Sequence, residues 1–434
     1  MFSRLTAPIL ISSAALMLSA CGDELPGPRT PVEGEETDYG DCPQNERWDA
    51  KDEACVCVET HVRESGRCTP DTSLTACLLI SGTDWATSGS LSVFDLSTNM
   101  LLEDLTTYHQ DSVLRVLDGK VYVVQRMFGD SVIRLNPAQT YGIEWEESVR
   151  QPNSRTPNPH DLVRHGSYLY LTLYNEGRII QAHANPLSTG AFLTGKEARI
   201  SPETWDGGAA EATRLAIVDG TLFALVQGLR DSWNCGSMDG DDNRSRIYAF
   251  DVDTLEEAPV FEGNQSYKTL EFCNASGWTF LESGEVLVHS VGDYRQYGAN
   301  ADDGGLEVFD LREPHRSSVV HARESAFSAD IFGAFAQGDD VYVTLVGEDP
   351  TDIRLHRLDT STPGAWTLAG EALYRGNIWD LQILGDELFI VDRHYGFEGV
   401  VRRNRFTGEV SGKDILTPIA PESIQVIRRP QGCW

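Results

Sequence analysis

Leu91-Ser92-Val93-Phe94-Asp95 is a short alternating strand that stops on an aspartate, and six further stretches repeat that design. They are Ser131-Val132-Ile133-Arg134-Leu135-Asn136, Arg178-Ile179-Ile180 running on to Asn185, and Arg246-Ile247-Tyr248-Ala249-Phe250-Asp251. The others are Leu306-Glu307-Val308-Phe309-Asp310, Ile353-Arg354-Leu355-His356-Arg357-Leu358-Asp359, and Val400-Val401-Arg402-Arg403-Asn404. The seven Asx positions are spaced by 41, 49, 66, 59, 49 and 45 residues, about one four-stranded sheet per interval. A side-chain oxygen there can accept from the backbone N–H two residues on and so close a turn.

A second phrase leads into the later copies: an apolar strand, a Gly-containing turn, then another apolar strand. Asp118-Gly119 divides Val113-Leu114-Arg115-Val116-Leu117 from Lys120-Val121-Tyr122-Val123-Val124, and Asp219-Gly220 does the same after Leu215-Ala216-Ile217-Val218. Asp-Gly between apolar runs is a strong hairpin signal. Turns are also expected at His165-Gly166 and Gly385-Asp386. These paired phrases resemble YVTN-type propellers, seven-bladed bacterial relatives of WD repeats, with Tyr342-Val343-Thr344 the nearest match and Leu345 departing from the fourth letter. The resemblance implies an all-β, seven-bladed propeller over residues 77–434. The first copy lacks a full leading hairpin, whereas the chain ends in a lone strand, Ser423-Ile424-Gln425-Val426-Ile427. Laid innermost beside Cys77-Leu78-Leu79-Ile80, that strand closes the ring and brings Cys77 to Cys433.

The N-terminal part has a different character. Leu18-Ser19-Ala20-Cys21 follows Arg4 and an apolar run, and it resembles the lipobox of bacterial lipoproteins. That implies a signal peptide over residues 1–20, lipidation of Cys21, and a cell-envelope location, with the outer membrane or cell surface favoured. Residues 21–41 are acidic, rich in Pro and Gly, and too poor in apolar side chains to offset their backbone entropy, so a tether is expected. Residues 42–76 carry Cys42, Cys55, Cys57 and Cys68, a small module that needs cross-links. The run from Cys55-Val56-Cys57 to Gly66-Arg67-Cys68 resembles half an EGF-like module, which implies pairing Cys57 with Cys68 and Cys42 with Cys55. Four close cysteines are also a zinc-ligand set, although thiols outside the cytoplasm tend to oxidise. No apolar run after Cys21 approaches the roughly 20 residues of a membrane span.

With 35 basic and 66 acidic residues, the chain is a poor candidate for nucleic acid, whose binding rests on clustered Lys and Arg. Cys235 lies in the longest interval and Cys273 in the one after it, and a disulfide between them is expected to hold an inserted loop. Within it, Asp239, Asp241 and Asn243 could ligate Ca²⁺, though the run lacks the glycine and distal glutamate of an EF-hand. No other cofactor is expected.

In a propeller, loops joining second to third strands share one face with the starts of innermost strands. That face should carry His160, Asp161, Arg214, Trp278, Trp379 and Asp380 from strand starts, and Asp392, Arg393 and His394 after a second strand. Converging charges and aromatic rings suit a small-ligand pocket. Asp161 and Asp380 have a plainer use as well, bonding the backbone of neighbouring blades. No zinc-protease, serine-elbow or phosphate-loop motif is present. The expected function is therefore capture of a small molecule, glycan or envelope protein by a membrane-anchored propeller. The alternatives are a Ca²⁺-dependent hydrolase or lactonase using Asp161 and Asp380, and a non-catalytic envelope scaffold.

Overall fold

The computed structural model describes residues 74–434 apart from 152–155, 186–189, 201–209, 228, 230–243, 294–301, 348, 350, 351, 395, 396 and 431. It also describes four short strands, Glu46–Asp49 paired with Ala54–Cys57 and His61–Glu64 paired with Arg67–Pro70. The expected signal peptide, Cys21, the tether and Cys42 lie outside the described residues, as do Cys235, Asp239, Asp241 and Asn243.

Seven antiparallel sheets follow one another, each built on four strands in sequence order except at the seam. Blade 1 is composite. Its innermost strand is Pro421–Arg429 from the end of the chain, followed outward by Thr75–Thr83, Gly89–Asp95 and Met100–Tyr108. Ile427 lies opposite Cys77, and Cys77 and Cys433 are disulfide-bonded with Cα atoms 5.6 Å apart. The innermost strands of blades 2 to 7 are Ser112–Leu117, Pro159–His165, Ala212–Val218, Ala275–Phe280, Asp330–Gln337 and Ile378–Leu384. Blade 6 gains a short extra strand, Tyr374–Gly376, beside its third.

Why a ring forms is visible in the second strands, which are apolar on both faces. Val121 and Val123 pack towards blade 1, while Tyr122 and Val124 pack towards blade 3. Period-two alternation therefore serves two cores instead of one core and solvent. Seven clusters result, one between each pair of neighbouring blades. The last joins Phe389 and Val391 of blade 7 to Leu78, Ile80 and Ile424 of blade 1. Fully buried Val, Leu and Phe side chains contribute roughly 1.5–3 kcal/mol each, so the seam has as strong a reason to close as any other interface.

The Asx residues work as turn locks. Asp95 Oδ1 accepts from the N–H groups of Ser97 and Thr98, at 2.7 and 3.2 Å, and Asp251 does the same for Asp253 and Thr254. Asn136, Asp310, Asp359 and Asn404 each accept from the residue two positions on. Asn185 differs: its third strand ends at His183, and its side-chain oxygen accepts from the Arg134 guanidinium of blade 2. Of the hairpins, Asp118-Gly119 and Asp219-Gly220 take positive φ at both residues, matching the twist of the flanking strands. The blade 3 turn falls one residue later than expected, because His165 pairs with Tyr168 and leaves Gly166-Ser167 as the loop. Gly166, with φ of 53°, supplies the left-handed first position that His165 would adopt only under strain.

Candidate functional site at the channel mouth

Innermost strands are sheet edges, and their outward N–H and C=O groups face the central channel instead of another strand. In six of the seven blades the ladder slips near the start of that strand, between Pro159 and Leu162, Ala212 and Arg214, Ala275 and Gly277, Ile331 and Gly333, Ile378 and Asp380, and Pro421 and Ser423. Each slip is a bulge that re-aims the residues around it. Asp161, Arg214, Gly277, Gly333, Asp380 and Ser423 thereby occupy equivalent places around the channel.

Asp161 and Asp380 use that place in the same way. Asp161, only 4% exposed, accepts at Oδ2 from the Leu215 N–H of the next blade at 2.8 Å. Asp380 Oδ2 accepts from the Ile424 N–H of its next blade at 2.9 Å. The remaining oxygen of Asp161 takes the Arg115 Nε–H at 2.5 Å, and that of Asp380 takes the Leu381 N–H at 2.8 Å. Both carboxylates are thus committed to holding blades together. Burial raises the Asp380 carboxyl to about 6, against the pull of Arg115 and Arg214.

Arg214 is situated differently. Its Nη1 donates to the Thr213 carbonyl at 3.1 Å, and no carboxylate of the described residues lies within ion-pair distance. Only partly exposed, it is lowered to about 10 by desolvation and by the charges of Arg115 and Arg126, against the pull of Asp161 and Asp380. His160 stacks on Tyr174 at 4.0 Å and lies well below its usual pKa because of burial and the three arginines Arg126, Arg214 and Arg115. His289 is pushed down to about 3 by burial, then by Arg214, and its buried Nδ1 has no partner. Both imidazoles are neutral at physiological pH. Gly277 makes this arrangement possible: a Cβ there would come within 2.7 Å of the His289 ring and 3.6 Å of Arg214 Nε.

At the rim, Trp85 and Trp379 stand 45% and 40% exposed, with ring centroids 5.6 Å apart. The Arg393 guanidinium lies 5.0 Å from the first ring and 4.9 Å from the second, and its Nη1 is buried without a partner. Trp85 sits in the left-handed region at φ 53°, an unusual state for a bulky residue. Asp84 holds that loop by accepting from the N–H groups of Ala86, Thr87 and Ser88. Arg126 completes the mouth between blades 1 and 2, meeting Asp111 at 2.6 Å and Glu422 at 3.1 Å.

The structure therefore brings His160, Asp161, Arg214, Trp379, Asp380 and Arg393 to the mouth. Trp278 goes elsewhere: the bulge puts Gly277 in the channel position, and the indole packs into the core between blades 4 and 5. Asp392 and His394 face a separate cavity of about 520 Å³ between blades 6 and 7, with Tyr374, Arg375 and Asp414. There Asp392 accepts from the Tyr374 hydroxyl at 2.5 Å and from the N–H groups of Asn377 and His394. Cys273 is disulfide-bonded; Cys235, its expected partner, lies outside the described residues. Trp85, Arg126, His289 and Glu422 were reachable by applying the same-face rule to every second-strand end and strand start. Arg115, in mid-strand, carried no such signal. Among the described residues no group of three or more His, Cys, Asp or Glu is placed to hold a metal ion.

No family model matches this chain, and no curated protein matches it in sequence. Solved structures do. A candidate 6-phosphogluconolactonase from Bacteroides fragilis is 14% identical with a TM-score of 0.54, covering 83% of this chain and 100% of its own. A second, from Bacteroides uniformis, is also 14% identical with a TM-score of 0.51, covering 82% of this chain and 100% of its own. At such identities the likeness is one of fold.

Proposed function

We propose that this is an envelope protein, lipidated at Cys21 and held to a membrane face, whose propeller captures a small molecule at the channel mouth. The observation carrying this reading is the rim group Trp85, Trp379 and Arg393, two exposed indoles gathered around one guanidinium. Exposed Trp and Arg are the side chains that give most binding free energy per contact, and the turn that Asp84 holds at residues 84–88 sets Trp85 out beside Trp379. The carboxylates on which Ca²⁺-dependent hydrolysis would rely, Asp161 and Asp380, already hold blade-to-blade hydrogen bonds, which favours capture over turnover.

The test is a titration of the full chain with mono- and oligosaccharides, amino acids and organic acids, read by tryptophan emission and melting temperature. A ligand is expected to change both saturably, since binding to the native state alone raises apparent stability. Trp85→Ala combined with Trp379→Ala should remove both responses and leave the unliganded melting temperature within a few degrees. The reading fails if no compound gives a saturable change, or if the double variant binds as well as the parent.

A further inference from the structure

We propose that the ligand of this mouth is an anion, a small molecule bearing a carboxylate or phosphate group that descends the channel to Arg214. This rests on the reading of the mouth as a binding site and names what it takes. The chain holds 66 acidic residues against 35 basic ones, so a counter-ion for any cation was readily at hand. Arg115 has one in Asp161, and Arg126 has two in Asp111 and Glu422. Arg214, placed where blades 3 and 7 carry a carboxylate, has among the described residues the Thr213 carbonyl as hydrogen-bond partner and no carboxylate within ion-pair distance.

A desolvated guanidinium without a counter-ion is costly, and a guanidinium is a planar five-donor fork shaped for carboxylate or phosphate oxygens. Arg115 and Arg126 add to the attraction for an incoming anion, and the nearby carboxylates Asp161 and Asp380, which act against it, are already engaged by backbone N–H groups. Gly277 lets the His289 ring lie beside Arg214, where a Cβ would meet that ring at 2.7 Å, and the imidazole is neutral, so this neighbour adds no competing charge. Arg393 at the rim is a second guanidinium with a buried N–H lacking a partner. The route from rim to floor thus runs between two cations that have no carboxylate of the described residues within ion-pair distance, in a protein whose net charge of −31 would otherwise repel the ligand.

The experiment uses the full chain at constant ionic strength, with inorganic phosphate, citrate and neutral methyl glucoside as probes, read by calorimetric titration and melting temperature. Phosphate or citrate, or both, should bind saturably, and the comparison of the two tells phosphate from carboxylate recognition. Arg214→Gln should weaken that binding at least tenfold, while the unliganded variant melts no lower than the parent because an uncompensated cation has been removed. The proposal is overturned if neither anion binds saturably, if Arg214→Gln binds as the parent does, or if the variant loses stability without ligand. Methyl glucoside binding that depends on Trp379, with no anion response, overturns the anion while leaving a ligand-binding mouth. Silence from all three probes and from the wider ligand panel removes both.

Discussion

Replacing both Cys77 and Cys433 by alanine removes the covalent seam and, besides it, two sulfur atoms from the core between blades 1 and 2. The bridge joins residues 356 positions apart, and the chain-entropy relation for a loop of that size gives about 6 kcal/mol at 25 °C. Measured disulfides deliver less, typically about 2–5 kcal/mol, and the seam retains the apolar cluster of Phe389, Val391, Leu78, Ile80 and Ile424. The expected loss is therefore about 3–5 kcal/mol. Location matters as much as size. Only blade 1 is assembled from both ends of the chain, so Pro421–Arg429 becomes the element that opens first. The assay is guanidinium unfolding of parent and double variant, paired with amide hydrogen exchange read at residues 421–429. Faster exchange should concentrate there and in Thr75–Thr83, its partner. A stability difference under about 1 kcal/mol together with unchanged exchange in 421–429 would refute the view that this bridge is the latch of the ring.

Two further outcomes follow from the channel. Asp161→Ala leaves the Arg115 guanidinium and the Leu215 N–H without their buried acceptor and should cost about 3 kcal/mol by denaturant unfolding; a loss under about 0.5 kcal/mol would show the blades do not depend on it. Glu422, 7% exposed, is raised by burial from 4.5 to about 7 against the pull of Arg126. The folded protein therefore binds the extra proton between those values, and stability rises as pH falls from 7 towards 4.5, by about 3 kcal/mol from this group. Glu422→Gln should flatten that part of the profile, and an unaltered slope between the two proteins contradicts the assignment.

The repeat was legible because its signals are local. A side chain two residues from the N–H it accepts needs nothing distant, so Asp95 and Asp251 announce their turns, and Asp118-Gly119 its hairpin, within a few positions of sequence. The count of seven and the closing strand followed from that spacing, and the cysteine pair at the two ends marked where the ring is sewn. What the sequence could not display is register at the channel. The bonds of Asp161 and Asp380 to neighbouring blades were open to the sequence reading, but the bulge that puts Gly277 in place of Trp278 adds one residue without any compositional mark, because a one-position slip exchanges faces while leaving the pattern intact. Nor could it show that Trp85, about 300 positions before Trp379 and Arg393, stands beside them at one rim, or that Arg214 has no carboxylate of the described residues within ion-pair distance. Those facts depend on how seven sheets tilt about a common axis, and ring closure fixes that only once every interface has packed.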